Sequence, residues 1–171
     1  MFFWLLALCA LKCCVVQAEF DVIFEDVDCN EIHPEYVKSC DMELNYDSEY
    51  GANVDTHLEI IKPFPEGLKI IADVIAVQMG EYTLNVGVHL DTDFCELAES
   101  PNSLAVPILR AINMDSGTCP PEPGIYEREG YVLDSMDGLP SAFPAGHYLL
   151  NMSLIYEESV LFHLDVYLRI Y

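Results

Sequence analysis

Residues 82–91 read YTLNVGVHLD, in which apolar and polar residues alternate without a break. Successive side chains of a β-strand point to opposite faces of a sheet. A period of two therefore predicts a strand with one face against a core and the other in water. The residues predicted to face the core are Tyr82, Leu84, Val86, Val88 and Leu90.

The end of the chain predicts a β-hairpin. Residues 160–170 alternate in the same way, residues 146–156 are also strand-like, and only the three residues 157–159 separate the two segments. Residues 68–77 (LKIIADVIAV) are more continuously apolar, which indicates a strand in the interior of a sheet. Weaker strands are predicted at residues 20–27, 39–46, 54–62 and 125–133.

Residues 101–114 (PNSLAVPILRAINM) have a different pattern. Pro101 and Asn102 are suited to open a helix, whereas Pro107 argues against a regular one. The apolar residues at helical spacing are Leu104, Ile108, Leu109 and Ile112. Seven or eight strands with one short helical insertion predict an all-β, two-sheet sandwich, and residues 19–171 show no linker that would divide them into two domains.

The amino terminus predicts the compartment. Residues 2–11 (FFWLLALCAL) are uninterrupted apolar, and Val16 and Ala18 are the small residues that a cleavage site requires. Ten apolar residues before Lys12 fall short of the roughly 20 needed to span a bilayer. We therefore interpret residues 1–18 as a signal peptide, and we expect a secreted, extracellular protein without a membrane span.

The charge balance limits the possible partners. The chain has 29 acidic residues against 7 lysines and arginines, a net charge of −22. Nucleic acid is excluded as a partner, because proteins bind phosphate backbones through Lys and Arg. The same balance argues against docking on anionic lipid surfaces. With 52% hydrophobic residues the chain can bury a core, so disorder is not expected.

The cysteines favour disulfides over a metal site. Three of the seven would leave with the signal peptide, and Cys29, Cys40, Cys95 and Cys119 remain. An even number in an oxidising compartment indicates two disulfides, with three possible pairings. We favour Cys29–Cys40 and Cys95–Cys119, which close the two short loops. There is no CxxC motif and no two histidines lie within four residues, so no metal or other cofactor is expected.

Catalytic motifs are not found in the sequence. Asp26, Asp28 and Asn30 begin like a calcium-binding loop, but Glu31 replaces the glycine that such a loop needs. The chain has no G-x-S-x-G or HExxH motif. A carboxylate pair for glycoside hydrolysis stays open, because the separation of two carboxylates is not visible in a sequence. We expect no catalytic residue and no enzyme activity.

Asn151, Met152 and Ser153 form a sequon for N-linked glycosylation. A glycan must face solvent. An occupied sequon would direct Asn151 and Ser153 outward and Leu150 and Met152 inward; the alternative is an unoccupied sequon.

The apolar faces of the strands allow two interpretations. They pack together as a solid core, or they part to enclose a cavity filled by a lipid tail, with about 0.8 kcal/mol gained per buried methylene. Periodicity does not separate these two, because both need apolar residues inside. The candidate pocket residues are Tyr82, Leu84, Val86, Val88, Tyr148, Leu150, Met152, Leu154, Phe162 and Leu164.

Three short motifs occur in order along the second half of the chain: Asp93-Phe94-Cys95, then Cys119-Pro120, then FPAGHY at residues 143–148. In this order they resemble a family of small secreted insect proteins with D-x-C, C-P and P-x-G-x-Y motifs. That family is similar to the ML (lipid-recognition) superfamily, which includes ganglioside activator proteins, mite group 2 allergens and insect chemosensory proteins. The resemblance implies an immunoglobulin-like sandwich that opens between its sheets to hold an apolar molecule.

Two functions follow as hypotheses. The first is a non-enzymatic carrier or presenter of a hydrophobic ligand, such as a lipid, a fatty acid or a long-chain pheromone, with a role in chemosensation. The second is an extracellular protein-interaction module with a closed core, whose acidic surface binds a receptor protein.

Overall fold

The computed structural model describes residues 21–48, 51–100, 105–114, 119–133 and 144–171. The predicted signal peptide and the first four residues of the predicted helical insertion, 101–104, lie outside these ranges, among them Pro101, Asn102 and Leu104. The described residues form the strands β1 (Val22–Ile32), β2 (Val37–Asp47), β3 (Gly51–Ile60), β4 (Lys69–Gln78), β5 (Glu81–Asp93), β6 (Gly124–Tyr131), β7 (Gly146–Tyr156) and β8 (Ser159–Ile170), and the helices α1 (Phe94–Glu99) and α2 (Ala105–Ala111).

The eight described strands form two antiparallel sheets. One sheet has five strands in the order β1-β8-β7-β4-β5, and the other has three in the order β2-β3-β6. Buried side chains of both sheets share one hydrophobic core, to which β3 contributes Val54 and Leu58 and β8 contributes Leu164 and Val166. The prediction of an all-β, two-sheet sandwich is confirmed.

The hairpin predicted at the end of the chain is also confirmed. Strands β7 and β8 pair antiparallel from Gly146 opposite Ile170 to Tyr156 opposite Ser159. Glu157 in the connecting turn has a φ of 55°. The segment predicted to lie inside a sheet, β4, has neighbours on both sides, since β7 pairs with one edge and β5 with the other.

Strand β5 departs from the predicted alternation. Its pairing with β4 shifts register between Asp73 and Ile75, opposite a stretch of β5 that contains Gly87. Gly87 has a φ of 81°, which a glycine adopts without strain. Strand β5 also lies at the edge of its sheet. Leu84 and Val86, predicted to face the core, are 45% and 36% exposed on this edge strand.

The described residues between β5 and β6 contain two helices, where the sequence predicted one. Asp93 caps α1 by accepting hydrogen bonds from the backbone nitrogens of Cys95 and Glu96, at 2.9 and 3.1 Å. Pro107 is the third residue of α2. A backbone N–H has no helical partner in the first turn, so proline is tolerated there. Within the described residues, neither helix is long and apolar enough to cross a bilayer.

The favoured disulfide pairing is confirmed. Cys29–Cys40 joins β1 of the larger sheet to β2 of the smaller sheet, with 6.1 Å between the Cα atoms. Cys95–Cys119 joins α1 to the segment that leads into β6, with 5.4 Å between the Cα atoms. Each disulfide therefore links one part of the sandwich to another rather than closing a loop within one strand pair.

Candidate ligand-binding cavity

Two cavities lie between the sheets, of about 110 Å³ and about 20 Å³. A cavity needs a volume of roughly 10–15 Å³ to hold one water molecule, so the larger cavity has room for on the order of eight water-sized groups. Its lining comes from both sheets and from α2: Val22, Phe24, Val27, Met42, Val54, Thr56, Val74, Val88, Pro107, Ile108, Ala111, Ile112, Tyr131, Leu133, Tyr148, Leu150, Leu164, Val166, Leu168 and Ile170.

The wall of the larger cavity is almost entirely hydrocarbon. The hydroxyl of Thr56 donates to the carbonyl oxygen of Ala111 at 2.6 Å, and that of Tyr148 donates to the carbonyl oxygen of Pro144 at 2.7 Å. Burial raises the pKa of the Tyr148 phenol above its usual value, so this group stays neutral beyond the pH at which a free phenol ionises. The Thr56 and Tyr148 hydroxyls thus have partners in the protein, and the largely hydrocarbon wall favours an apolar guest.

The partial burial of Leu150 shows where the larger cavity adjoins the five-stranded sheet. This side chain is only half-buried, although its neighbours on the same face of β7, Tyr148 and Met152, are both buried. Strand β7 lies in the interior of the five-stranded sheet, and Val74, which pairs with Leu150 from β4, is half-buried too. A solid core facing these strands would bury both side chains. The gap opposite them is the larger cavity.

The structure divides the predicted pocket residues into three groups. Those that line the larger cavity are Val88, Tyr148, Leu150 and Leu164. Those that line the smaller cavity are Met152, Leu154 and Phe162. Tyr82, Leu84 and Val86 line neither.

Tyr82 was predicted to face inward, and the structure corrects this. The pairing of β4 with β5 shifts register again between Ala76 and Val77, and Val77 pairs with Tyr82. The Tyr82 ring packs edge-on against Tyr167, with 5.2 Å between the ring centroids. Tyr167 alternates along β8 with Val166 and Leu168, which line the cavity, so both rings lie on the outer face of the sheet.

Several lining residues were not predicted from the sequence. Ile108 and Ile112 were recognised as one face of a helix, but not as part of a ligand site. In β1 a register shift between Phe24 and Asp26 breaks the alternation, which hid the inward positions of Phe24 and Val27. Where a strand shifts register, its inward residues no longer recur at every second position, so the sequence pattern does not reveal them.

The outer face of the five-stranded sheet carries a hydrogen-bonded polar network. Asp165, which is 9% exposed, accepts from the side-chain amides of Asn30 and Asn151, both at 2.8 Å. Ser153 Oγ lies 2.7 Å from Nδ1 of His163. The sequon asparagine and serine therefore lie on the outer face, and these bonds connect β1, β8 and β7.

Ser153, His163 and Asp165 bring together the three group types of a hydrolase triad, with 3.5 Å between Nε2 of His163 and Oδ1 of Asp165. A triad also needs donors for an oxyanion, usually backbone N–H groups. Strands β7 and β8 are paired on both sides, so their backbone groups are already used in the sheet. The network fits a role in holding the strands together.

The outer face of the three-stranded sheet is acidic. Asp41, Glu43, Glu127 and Glu129 border a wide depression there, with His57 Nδ1 at 3.3 Å from Glu127 Oε2. Among the described residues, no three His, Cys, Asp or Glu side chains are grouped so that they could hold a metal ion. Asp41, Glu43, Glu127 and Glu129 are all exposed and form a solvated acidic face.

No protein-family model matches the chain, and no curated protein matches it in sequence. The resemblance to the ML superfamily therefore stays a prediction from the three short motifs.

Proposed function

We propose that this protein is a secreted, non-enzymatic carrier of a hydrophobic ligand, which it holds between its two sheets. The observation that supports the proposal is the larger cavity, because about 110 Å³ of apolar space inside a small domain exceeds the voids that close packing leaves. Burial of a hydrocarbon there gains about 0.8 kcal/mol per methylene.

The covalent features agree with an extracellular carrier. Two disulfides suit an oxidising compartment, and the apolar amino terminus suits export. The resemblance to chemosensory ML proteins extends the proposal to a pheromone or a similar lipid with a hydrocarbon chain as the natural ligand.

The proposal is tested by binding of N-phenyl-1-naphthylamine, a dye whose fluorescence rises in apolar surroundings, and by mass spectrometry of lipids extracted from the secreted protein. Leu150→Trp should fill the larger cavity and weaken dye binding at least tenfold. Leu149→Trp is the matched control, because Leu149 is the next residue of β7 and faces the other side of the sheet. A wild-type protein that neither binds the dye nor yields a lipid would overturn the proposal.

The acidic face of the three-stranded sheet favours a second candidate, a module that binds a basic receptor protein. In that case affinity capture should find a protein partner whose binding weakens with salt and with the double substitution Glu43→Gln and Glu129→Gln. Lipid probes should then fail to bind.

A further inference from the structure

The two cavities meet at the same height along three of the strands that line them. In β7, Leu150 lines the larger cavity and Met152, the next inward residue, lines the smaller one. In β8 the same change takes place between Leu164 and Phe162. In β3 it takes place between Thr56 and Leu58. Inward residues of one strand are about 6–7 Å apart, so the two cavities are neighbours in one continuous gap.

Two side chains separate the cavities. Of the residues that line either one, Ile108 and Ile112 are common to both. They lie four residues apart, at the spacing that puts side chains on one face of a helix. The backbone nitrogen of Ile112 donates to the carbonyl oxygen of Ile108 at 3.2 Å, so the helical turn continues through both.

The helix that carries these side chains is fixed to the smaller sheet. Thr56 of β3 donates to the carbonyl oxygen of Ala111, and Arg128 Nη1 of β6 donates to that of Arg110 at 2.9 Å. Thr56 thus supplies a donor to a carbonyl group at the end of the helix, and the Arg110 carbonyl accepts from Arg128 in addition to the backbone nitrogen of Asn113, at 3.1 Å. The partition is therefore held in place by hydrogen bonds from two strands.

We infer that Ile108 and Ile112 set the length of the hydrocarbon chain that the protein accepts. This inference rests on the proposed carrier function. A methylene group is about the size of a water molecule, so the larger cavity accepts a chain of about eight to ten carbons. The ligand is thus a medium-length hydrocarbon chain, and any polar end group stays outside the cavity, because the wall around the chain is almost entirely hydrocarbon.

The test measures displacement of N-phenyl-1-naphthylamine by straight-chain alcohols from hexanol to octadecanol. For the wild-type protein, affinity should rise about fourfold per methylene and stop rising near decanol. Changing both isoleucines to alanine removes six carbon atoms and joins the cavities, so the optimum should move to about fourteen to sixteen carbons. An unchanged optimum would overturn the inference and leave the carrier function intact.

The matched control is Leu109→Ala, since Leu109 belongs to the same helix but lines the smaller cavity alone. Its optimum should stay at that of the wild type, and a shift as large as that of the isoleucine variants would also overturn the inference. If the alanine variants do not fold, the double variant Ile108→Val and Ile112→Val is tested instead. Its optimum chain length should increase by about two carbons, and an unchanged optimum would overturn the inference. A wild-type protein that binds no alcohol and no dye fails the proposed function itself.

Discussion

The hydroxyl of Thr56 in β3 lies 2.6 Å from the carbonyl oxygen of Ala111, the last residue of α2. Thr56 is 5% exposed, so this hydrogen bond connects the helix to the sheet in a place that water barely reaches. It attaches α2, the helix between the two cavities, to β3. Removing it by substitution tests how much this bond stabilises the fold.

Thr56→Val should lower the free energy of unfolding by about 1–3 kcal/mol. The valine has nearly the same shape, but it leaves the Ala111 carbonyl without this donor. Urea unfolding followed by circular dichroism measures the change. Thr56→Ser keeps the hydroxyl and should lose less, and equal losses for the two variants would contradict the assigned bond.

Removal of either disulfide should destabilise the fold. The chain-entropy model gives about 3 kcal/mol for Cys29–Cys40 and about 3.5 kcal/mol for Cys95–Cys119, because the second closes the longer loop. Double-alanine variants of each pair, unfolded in urea, test both values. The prediction fails if either variant is as stable as the wild type.

Salt should raise the melting temperature. A net charge of −22 makes the compact chain repel itself, and dissolved ions screen that repulsion. Mild acidification toward the isoelectric point of about 4.1 should act in the same direction by neutralising carboxylates. Thermal melts across sodium chloride concentration and pH measure both effects, and a melting temperature that is flat in both would count against the prediction.

Stability should fall in alkali, above about pH 10. Burial is the main cause that raises the pKa of Tyr82, Tyr126, Tyr148 and Tyr167 in the fold. The unfolded chain, with phenol pKa values of about 10, then loses these protons first. The contribution is fully present below about pH 10 and is lost as the pH rises through the folded pKa values.

Urea unfolding at a series of alkaline pH values tests this slope. Tyr148→Phe should reduce it, whereas Tyr46→Phe, at a residue that is 73% exposed, is the control for loss of a phenol. A wild-type stability that does not change with pH in this range would contradict the assignment.

The sequon prediction can be separated from the hydrogen bonds around Asn151. Ser153→Ala abolishes the sequon but keeps the bond between Asn151 and Asp165, and Ser153→Thr keeps the sequon. After secretion from a eukaryotic cell, the wild type and the threonine variant should carry one N-glycan and the alanine variant none. Intact-mass spectrometry measures this, and equal polypeptide masses for all three after correction for the substitution would show an unoccupied site.

Sequence periodicity predicted the strands well, because each inward face is a run of apolar residues at every second position. It failed where backbone geometry interrupts the repeat. Gly87 lies where β5 shifts register against β4, so an alternation that is unbroken in the sequence does not keep Leu84 and Val86 buried. The short helix α1 has six residues, too few to show a helical period beyond the cap at Asp93.

The cavity itself could not be predicted from the sequence. A solid core and a hollow one need the same inward residues, such as Leu150 and Leu164, and they differ in the distance between the sheets. The pattern of Ile108 and Ile112 predicted a helical face, but where that face lies between the sheets depends on bonds from Thr56 and Arg128. Those contacts join residues far apart in the chain.

The positions of the disulfides have a consequence for the motions of the fold. Both disulfides lie near the smaller cavity. Leu58, which pairs with Cys40, lines that cavity. So do Phe94, which precedes Cys95, and Pro121, which is two residues after Cys119. Among the described residues, the other end of the sandwich, around Val22, Tyr148 and Ile170, contains no disulfide. We therefore expect the sheets to separate more readily at that end than near the disulfides, and we expect a guest of the proposed carrier to enter and leave there.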